Sequence, residues 1–144
     1  MQGLRVTVAL VAMFAAVSTT LAAPVDVAKS DPLRKVLLDA MRPTVEDDVG
    51  VPVQFVVEAL RVDGDWAYFA GTPQLKNGQP IDFEQTHYAE AIAEGYFDGP
   101  FLQVLLEKVG DDWVVATFDI GATDVIAVGW PDEYGAPCAV VDQC

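Results

Sequence analysis

Two short stretches of the sequence resemble each other, and together they constrain the fold most strongly. In residues 62–70 (VDGDWAYFA) and 109–117 (VGDDWVVAT), a valine and an Asp/Gly cluster are followed by a tryptophan and an apolar run. Asp and Gly favour tight turns, whereas aromatic and β-branched residues favour strands. Each stretch therefore predicts the turn and the second strand of an antiparallel hairpin. The similarity covers only a few residues, so it indicates two ordinary hairpins rather than an internal repeat.

The residues around both turns alternate between apolar and polar, which is typical of strands with one buried face. A strict period of two places one set of apolar side chains in each hairpin on the core side. The residues expected on the buried faces are Val53, Phe55, Val57 and Ala59 in the first hairpin, and Leu102, Val104, Leu106, Val114, Ala116, Phe118 and Ile120 in the second.

An amphipathic helix is predicted before the first hairpin. Asp31 can cap the first amides of this helix, and Pro32 suits its first position. Pro43 is expected to break or kink the helix, and Gly50 is expected to end it. The apolar residues at helical spacing on one face are Leu33, Val36, Leu37, Ala40 and Met41.

The remaining segments have weaker patterns. Residues 81–97 predict a short helix or an irregular insertion, and residues 122–137 predict a short helix or turn that packs over the sheet through Trp130 and Tyr134. The order is helix, hairpin, insertion, hairpin and tail. It predicts an α+β domain whose N-terminal helix packs on a curved antiparallel sheet built from the two hairpins.

The N-terminus has the pattern of a secretory signal peptide. Residues 1–22 contain a basic residue, Arg5, then an uncharged apolar run and small residues at the end, so cleavage is expected between Ala22 and Ala23. We expect residues 23–30 to form a mobile leader and residues 31–144 to form a single globular domain. The predicted location is the periplasm or the outside of the cell.

The net charge indicates which classes of partner are disfavoured, and the two cysteines indicate the redox compartment. The chain of 144 residues has a formal net charge of −14 at pH 7, which disfavours nucleic acid and anionic membrane surfaces as partners. The two cysteines, Cys138 and Cys144, predict a disulfide bond in an oxidising compartment. A redox role is the alternative, but the spacing differs from Cys-x-x-Cys.

His87 is the one histidine of the chain and a candidate site residue. If the insertion is helical, Glu84, His87, Glu90 and Glu94 lie near one face and could bind a metal ion such as zinc, or pair a base with an orienting acid. A solvated acidic helix face that happens to carry a histidine explains the same pattern.

The aspartates of the two hairpin turns are candidate calcium ligands. Asp63 and Asp65 in the first turn, and Asp111 and Asp112 in the second, offer two carboxylates each without a closing glutamate. They could act together only if both hairpins project to the same end of the sheet. Ordinary solvated turns are the alternative, and the sequence predicts no cofactor.

Nucleophilic catalysis has little support in the sequence. After the predicted cleavage point the only serine is Ser30, in the leader, and there is no Gly-x-Ser-x-Gly motif. Carboxylates could form an acid/base pair, as in glycoside hydrolysis, and some of the aromatic residues could line a pocket between sheet and insertion.

Residues 33–43 (LRKVLLDAMRP) and 53–74 (VQFVVEALRVDGDWAYFAGTPQ) resemble a set of small bacterial exported proteins with no assigned activity. The order of a helix before a curved meander is similar to the cones of cystatin-type and nuclear-transport-factor-type folds. Such folds carry many functions, so the resemblance implies a fold and no site residues. An inhibitor loop of the cystatin kind is not recognisable here.

These observations favour an exported, non-catalytic binding or interaction module with a small-molecule or protein partner. A small carboxylate-based hydrolase or isomerase with a cone-shaped cavity, with His87 as a further candidate residue, is one alternative. A metal-binding acidic protein is another.

Overall fold

The computed structural model describes residues 23–144, so the predicted signal peptide and its cleavage at Ala22 lie outside the described residues. The described residues form the predicted α+β architecture of a helix on an antiparallel sheet. The strands are β1 (Val25–Asp26), β2 (Val53–Asp63), β3 (Trp66–Leu75), β4 (Leu102–Val109) and β5 (Asp112–Ile120). The helices are α1 (Pro32–Val49), α2 (Ala89–Glu94) and α3 (Trp130–Tyr134), with 3₁₀ turns at Phe83–Gln85, Ile126–Gly129 and Cys138–Val141.

The sheet is a simple antiparallel meander with the order β1-β2-β3-β4-β5. The two predicted hairpins are confirmed: Asp63 pairs with Trp66 across the first turn, and Val109 pairs with Asp112 across the second. Because β3 and β4 are antiparallel neighbours, both turns lie at the same end of the sheet. The Lys108 amide donates to the Asp65 carbonyl over 2.7 Å and links them.

Helix α1 begins as predicted, where the Asp31 side chain accepts from the Leu33 amide over 2.9 Å. It ends at Gly50, whose φ of 77° suits glycine.

The helix is not broken at Pro43, which lies inside it. Only a narrow row is buried, namely Leu37, Met41, Val45 and Val49. Val36 was predicted on the buried face but is 51% exposed, whereas Leu33 and Ala40 of that face are partly buried against the core.

The sheet curves around α1, since the helix contacts β2 towards one edge of the sheet and β5 at the other edge. The leader was expected to be mobile, yet Val25 and Asp26 pair with β2 and Val27 is buried in the core. The core under the helix also contains Phe69, Leu102, Val104 and Leu106, all fully buried.

The strict period of two is wrong in two strands, because each contains a β-bulge. In β2 the pairing shifts between Val57 and Ala59, so Leu60 rather than Ala59 joins the core under the helix.

In β5 the pairing shifts beside Ala116. Val114 is therefore exposed, and Ala116 faces away from the helix, whereas Trp113 and Val115 pack towards it. A bulge adds one residue and reverses the faces beyond it.

The face of the sheet opposite α1 carries a second core. Tyr68 and Leu105 on the sheet pack with Trp130, Val140 and Val141 of the C-terminal tail. This confirms the tail that was predicted over the sheet, and Trp130 is only 3% exposed. The predicted disulfide bond between Cys138 and Cys144 is present. Among residues 23–144, no helix is long and apolar enough to cross a membrane.

Candidate functional site

The predicted helical face around His87 does not form. The chain makes a 3₁₀ turn at Phe83–Gln85, then a further turn that contains His87, and only then enters the six-residue helix α2. Glu84 and His87 therefore lie outside the helix that carries Glu90 and Glu94. The insertion combines a short helix with irregular structure, which are the two forms that the sequence allowed, so the single helix needed for one shared face is not present.

His87 instead contacts the C-terminal end of α1. Its Nε2 atom lies 2.9 Å from the Asp48 Oδ1 atom, and the neighbouring Tyr88 hydroxyl donates to Asp48 Oδ2 over 2.6 Å. Burial, and then the hydrogen bond to Asp48, raise the pKa of the Tyr88 hydroxyl. Phe83 and Phe97 pack against the Tyr88 ring with centroids 5.8 and 5.2 Å away. Asp48 thus anchors the insertion to α1.

We expect Asp48→Ala to destabilise the protein by about 1–3 kcal/mol, because the Tyr88 hydroxyl would lose its acceptor in a half-buried site. Hydrogen exchange should increase mainly in residues 83–97, and thermal unfolding should give the free-energy change. Asp47→Ala is the matched control, since it removes the same charge from an exposed neighbour. Equal effects of the two changes would contradict the anchoring role.

Asp119, at the end of β5, has an unfavourable environment for its charge. Burial, and then the nearby Asp48, raise the pKa of its carboxyl, although the Ala122 amide donates to Oδ2 over 2.9 Å and lowers it. A raised folded-state pKa means that ionisation of Asp119 lowers stability as the pH rises above the ordinary Asp pKa of about 3.9.

Asp119→Asn should therefore raise the thermal midpoint at pH 7. Near pH 3 it should leave the midpoint unchanged, because the wild-type Asp119 carboxyl is protonated there in both the folded and the unfolded state. The asparagine oxygen can still accept from Ala122. Removing any acid reduces the repulsion within so acidic a chain, so the gain is compared with that of exposed Asp132→Asn. A gain no larger than that of the control would contradict the interpretation.

The four turn aspartates lie at one end of the sheet, as a shared calcium site would need. However, among residues 23–144 no group of three or more His, Cys, Asp or Glu side chains is arranged to hold a metal ion. The two predicted metal sites therefore do not form such a group. Their residues are Asp63, Asp65, Asp111 and Asp112 in the turns, and Glu84, His87, Glu90 and Glu94 in the insertion. The His87 side chain is 58% exposed, and it does not line the candidate site that combines cationic side chains with an uncovered strand edge.

That site lies along the outer edge of β2, and we call it the edge groove. It has a volume of about 520 Å³ and is lined by residues 57–61 of β2, by Asp26, Val27 and Lys29 of the leader, and by Arg34 of α1. It exists because β1 is much shorter than β2. The sequence did not predict it, since only the pairing of the leader reveals where β1 stops.

The β2 main chain is only partly covered at this edge. β1 pairs with Arg61 and Val62, and the Val27 amide donates to the Leu60 carbonyl over 2.8 Å. Further towards the start of β2, the Val53 amide donates to the Glu46 carboxylate over 2.9 Å. Between these points no main-chain group of residues 23–144 pairs with the outer side of β2.

The edge groove also concentrates positive charge. Lys29, Arg34 and Arg61 line it, which is three of the eight Lys and Arg residues in a strongly acidic chain. Two acids, Asp26 and Glu58, lie among them. A groove with both signs of charge beside uncovered main chain can bind a polypeptide through its backbone and its charged side chains.

Arg61 has spare hydrogen-bonding capacity. Its guanidinium carbon lies 5.5 Å from the centre of the Tyr68 ring, and its Nη1 atom is 3.6 Å from the Asp142 carboxylate. Its Nε atom is buried and has no hydrogen-bond partner within the part of the chain that is described. Because this Nε atom is buried, a ligand in the groove does not reach it, and Arg61 contributes its positive charge to the lining of the groove.

Comparison of the chain with family models, with curated proteins and with solved structures gave no match. The resemblance to small exported bacterial proteins and to cystatin-like cones therefore stays a prediction.

Proposed function

We propose that the protein is an exported, non-catalytic binding module that takes up an extended segment of a partner polypeptide along the outer edge of β2. The observation that carries the proposal is the edge groove, where uncovered β2 main chain lies beside three cationic side chains. The proposed partner is a polypeptide, because the main chain of a strand edge recognises another main chain.

β1 supports this mode of binding. It already occupies the end of the β2 edge as an antiparallel strand, but only two of its residues pair before the chain turns into α1. A bound segment would continue along the same edge from Ala59 towards Val53. Its alternate side chains would point to the two sides of the sheet, which gives the groove a means of selecting sequence.

The charges of the groove suggest the composition of the segment. The chain repels acidic partners over most of its surface because of its net charge of −14. A carboxylate in the bound segment is favourable only near Lys29, Arg34 and Arg61, so it would fix the register of the segment. Asp26 and Glu58 would favour a basic residue nearby.

Export is part of the same proposal. The disulfide bond between Cys138 and Cys144 is compatible with an oxidising compartment, and the N-terminal pattern predicts a signal peptide. In the periplasm or outside the cell, such a module would act on exposed, extended segments of other proteins.

The test uses the oxidised chain from residue 23 and a phage-displayed library of random linear peptides. Selected peptides should carry a carboxylate, and Arg34→Ala should weaken their binding in solution by about tenfold, the loss expected for one charge-assisted hydrogen bond. Lys35→Ala is the matched control, because Lys35 follows Arg34 in the same helix but does not line the groove.

Methylation of alternate backbone amides in a selected peptide is the second arm. It should abolish binding if the peptide adds a strand to β2, because it removes the donors of that pairing. Binding that tolerates this methylation on both sets of alternate amides, or that responds equally to Arg34→Ala and Lys35→Ala, would overturn the proposal. Failure to enrich any peptide would also overturn it.

A further inference from the structure

A second surface lies far along the chain from the edge groove and has the opposite charge. It joins the link before β4, residues 95–101, to the end of β5 and the segment that follows it, residues 119–126. The Asp98 amide donates to the Gly121 carbonyl over 2.8 Å, and the Gly121 amide donates to the Phe101 carbonyl over 2.9 Å. These bonds hold the two segments side by side.

Exposed apolar side chains are concentrated there. Tyr96 is 69% exposed, Val125 is 68% exposed and Ile126 is 41% exposed. We call these three residues the Tyr96 patch. Tyr96 and Ile126 line a common depression of about 310 Å³ together with Asp119 and Asp124. Large apolar side chains grouped on a surface and bordered by charges mark interaction sites more often than isolated ones do.

The two segments that form the Tyr96 patch carry acids and no base. The last Lys or Arg of the sequence is Lys108, so residues 109–144 contain acids and no base, and residues 89–107 contain no base either. Asp119 and Asp124 form no salt bridge within residues 23–144. Burial and the proximity of Asp48 raise the pKa of Asp119, which is the expected state of a carboxylate without a cationic neighbour.

We propose that the Tyr96 patch is a docking surface for a basic segment of another protein, which places a Lys or Arg side chain in the depression. The aliphatic stem of that side chain would lie against Tyr96 and Ile126, and its cationic head would lie between the carboxylates of Asp119 and Asp124. Long cationic side chains bind apolar surface and carboxylates together in this way, and a tyrosine face adds attraction for the cation.

This surface does not depend on the proposed function of the edge groove. The two sites share no residue, and they select opposite charges. A partner that occupied both would present an acidic extended segment to β2 and a basic segment to the Tyr96 patch.

The test measures binding of a short, fluorescein-labelled peptide in which Lys and Leu are separated by Gly, using fluorescence anisotropy and the oxidised chain from residue 23. The double variant Tyr96→Ser with Ile126→Ser should weaken binding by about tenfold, as expected for the loss of buried apolar contact. Val128→Ser is the matched control, because Val128 is 52% exposed on the same tail but does not line the depression.

A second pair of variants separates a specific site from general attraction to an acidic protein. Asp124→Asn should weaken binding about three- to fivefold, the loss expected for one exposed ion pair, whereas Asp132→Asn, which removes the same charge from exposed α3, should change it less than twofold. Binding should also weaken as salt is added. Equal effects of Asp124→Asn and Asp132→Asn, no effect of the Tyr96 and Ile126 changes, or no binding at low salt would each overturn the proposal.

Discussion

Gly71→Ala is expected to destabilise the protein by about 3 kcal/mol or more, although it adds a single methyl group. A Cβ atom at this position would lie 2.1 Å from the Val56 carbonyl oxygen and 2.8 Å from the Phe69 Cζ atom. Gly71 sits beside the bulge in β2, where the two strands approach closely and Phe69 fills the space under the helix. Relief would require movement of both the strand backbone and a core ring, so the midpoint of urea unfolding should fall sharply.

Gly129→Ala is the matched control for this change. The added methyl group meets nothing within 4 Å there, and the φ of −85° is acceptable to alanine. Its stability should remain within about 0.5 kcal/mol of the wild type. If Gly71→Ala behaved like Gly129→Ala, the close approach of β2 and β3 at the bulge would be wrong.

The bulges also mark the limit of what the sequence predicted. The turns at Gly64 and Gly110 could be predicted because Asp and Gly residues specify them locally. The sequence could not predict which residues face the core beyond Val57 and beside Ala116, because a bulge depends on how two strands pair. Apolar residues such as Val114 and Ala116 fit either face of a strand, so the pattern carried no sign of the reversal.

The candidate site was less predictable than the fold for the same reason. His87 was singled out from its sequence neighbours, but its contact is Asp48, which lies 39 residues earlier. The edge groove depends on where β1 stops, and the two residues of β1 resemble any short apolar-acidic dipeptide. Local patterns predicted the elements, whereas the charge arrangement of Lys29, Arg34 and Arg61 emerged only from the tertiary structure.

Trp130→Ala is expected to destabilise the protein by about 3–5 kcal/mol, the usual cost of removing a large buried aromatic side chain. Trp130 is 3% exposed, and its ring meets the Tyr68 ring edge-on with centroids 6.5 Å apart. It packs with Leu105 and Val140 in the core opposite α1. The tail should therefore unfold together with the sheet in one cooperative transition, and thermal unfolding with near-ultraviolet circular dichroism as the signal should report the loss.

Val128→Ala tests the same tail without touching this core, because Val128 is 52% exposed two residues before Trp130. Its effect should be within about 0.5 kcal/mol. Comparable small effects of both changes would mean that the tail contributes little to stability, and that the sheet is held by α1 alone. A large effect confined to Trp130 would instead establish a three-layer fold, in which the C-terminal tail is a structural layer that presents the Tyr96 patch on a fixed surface.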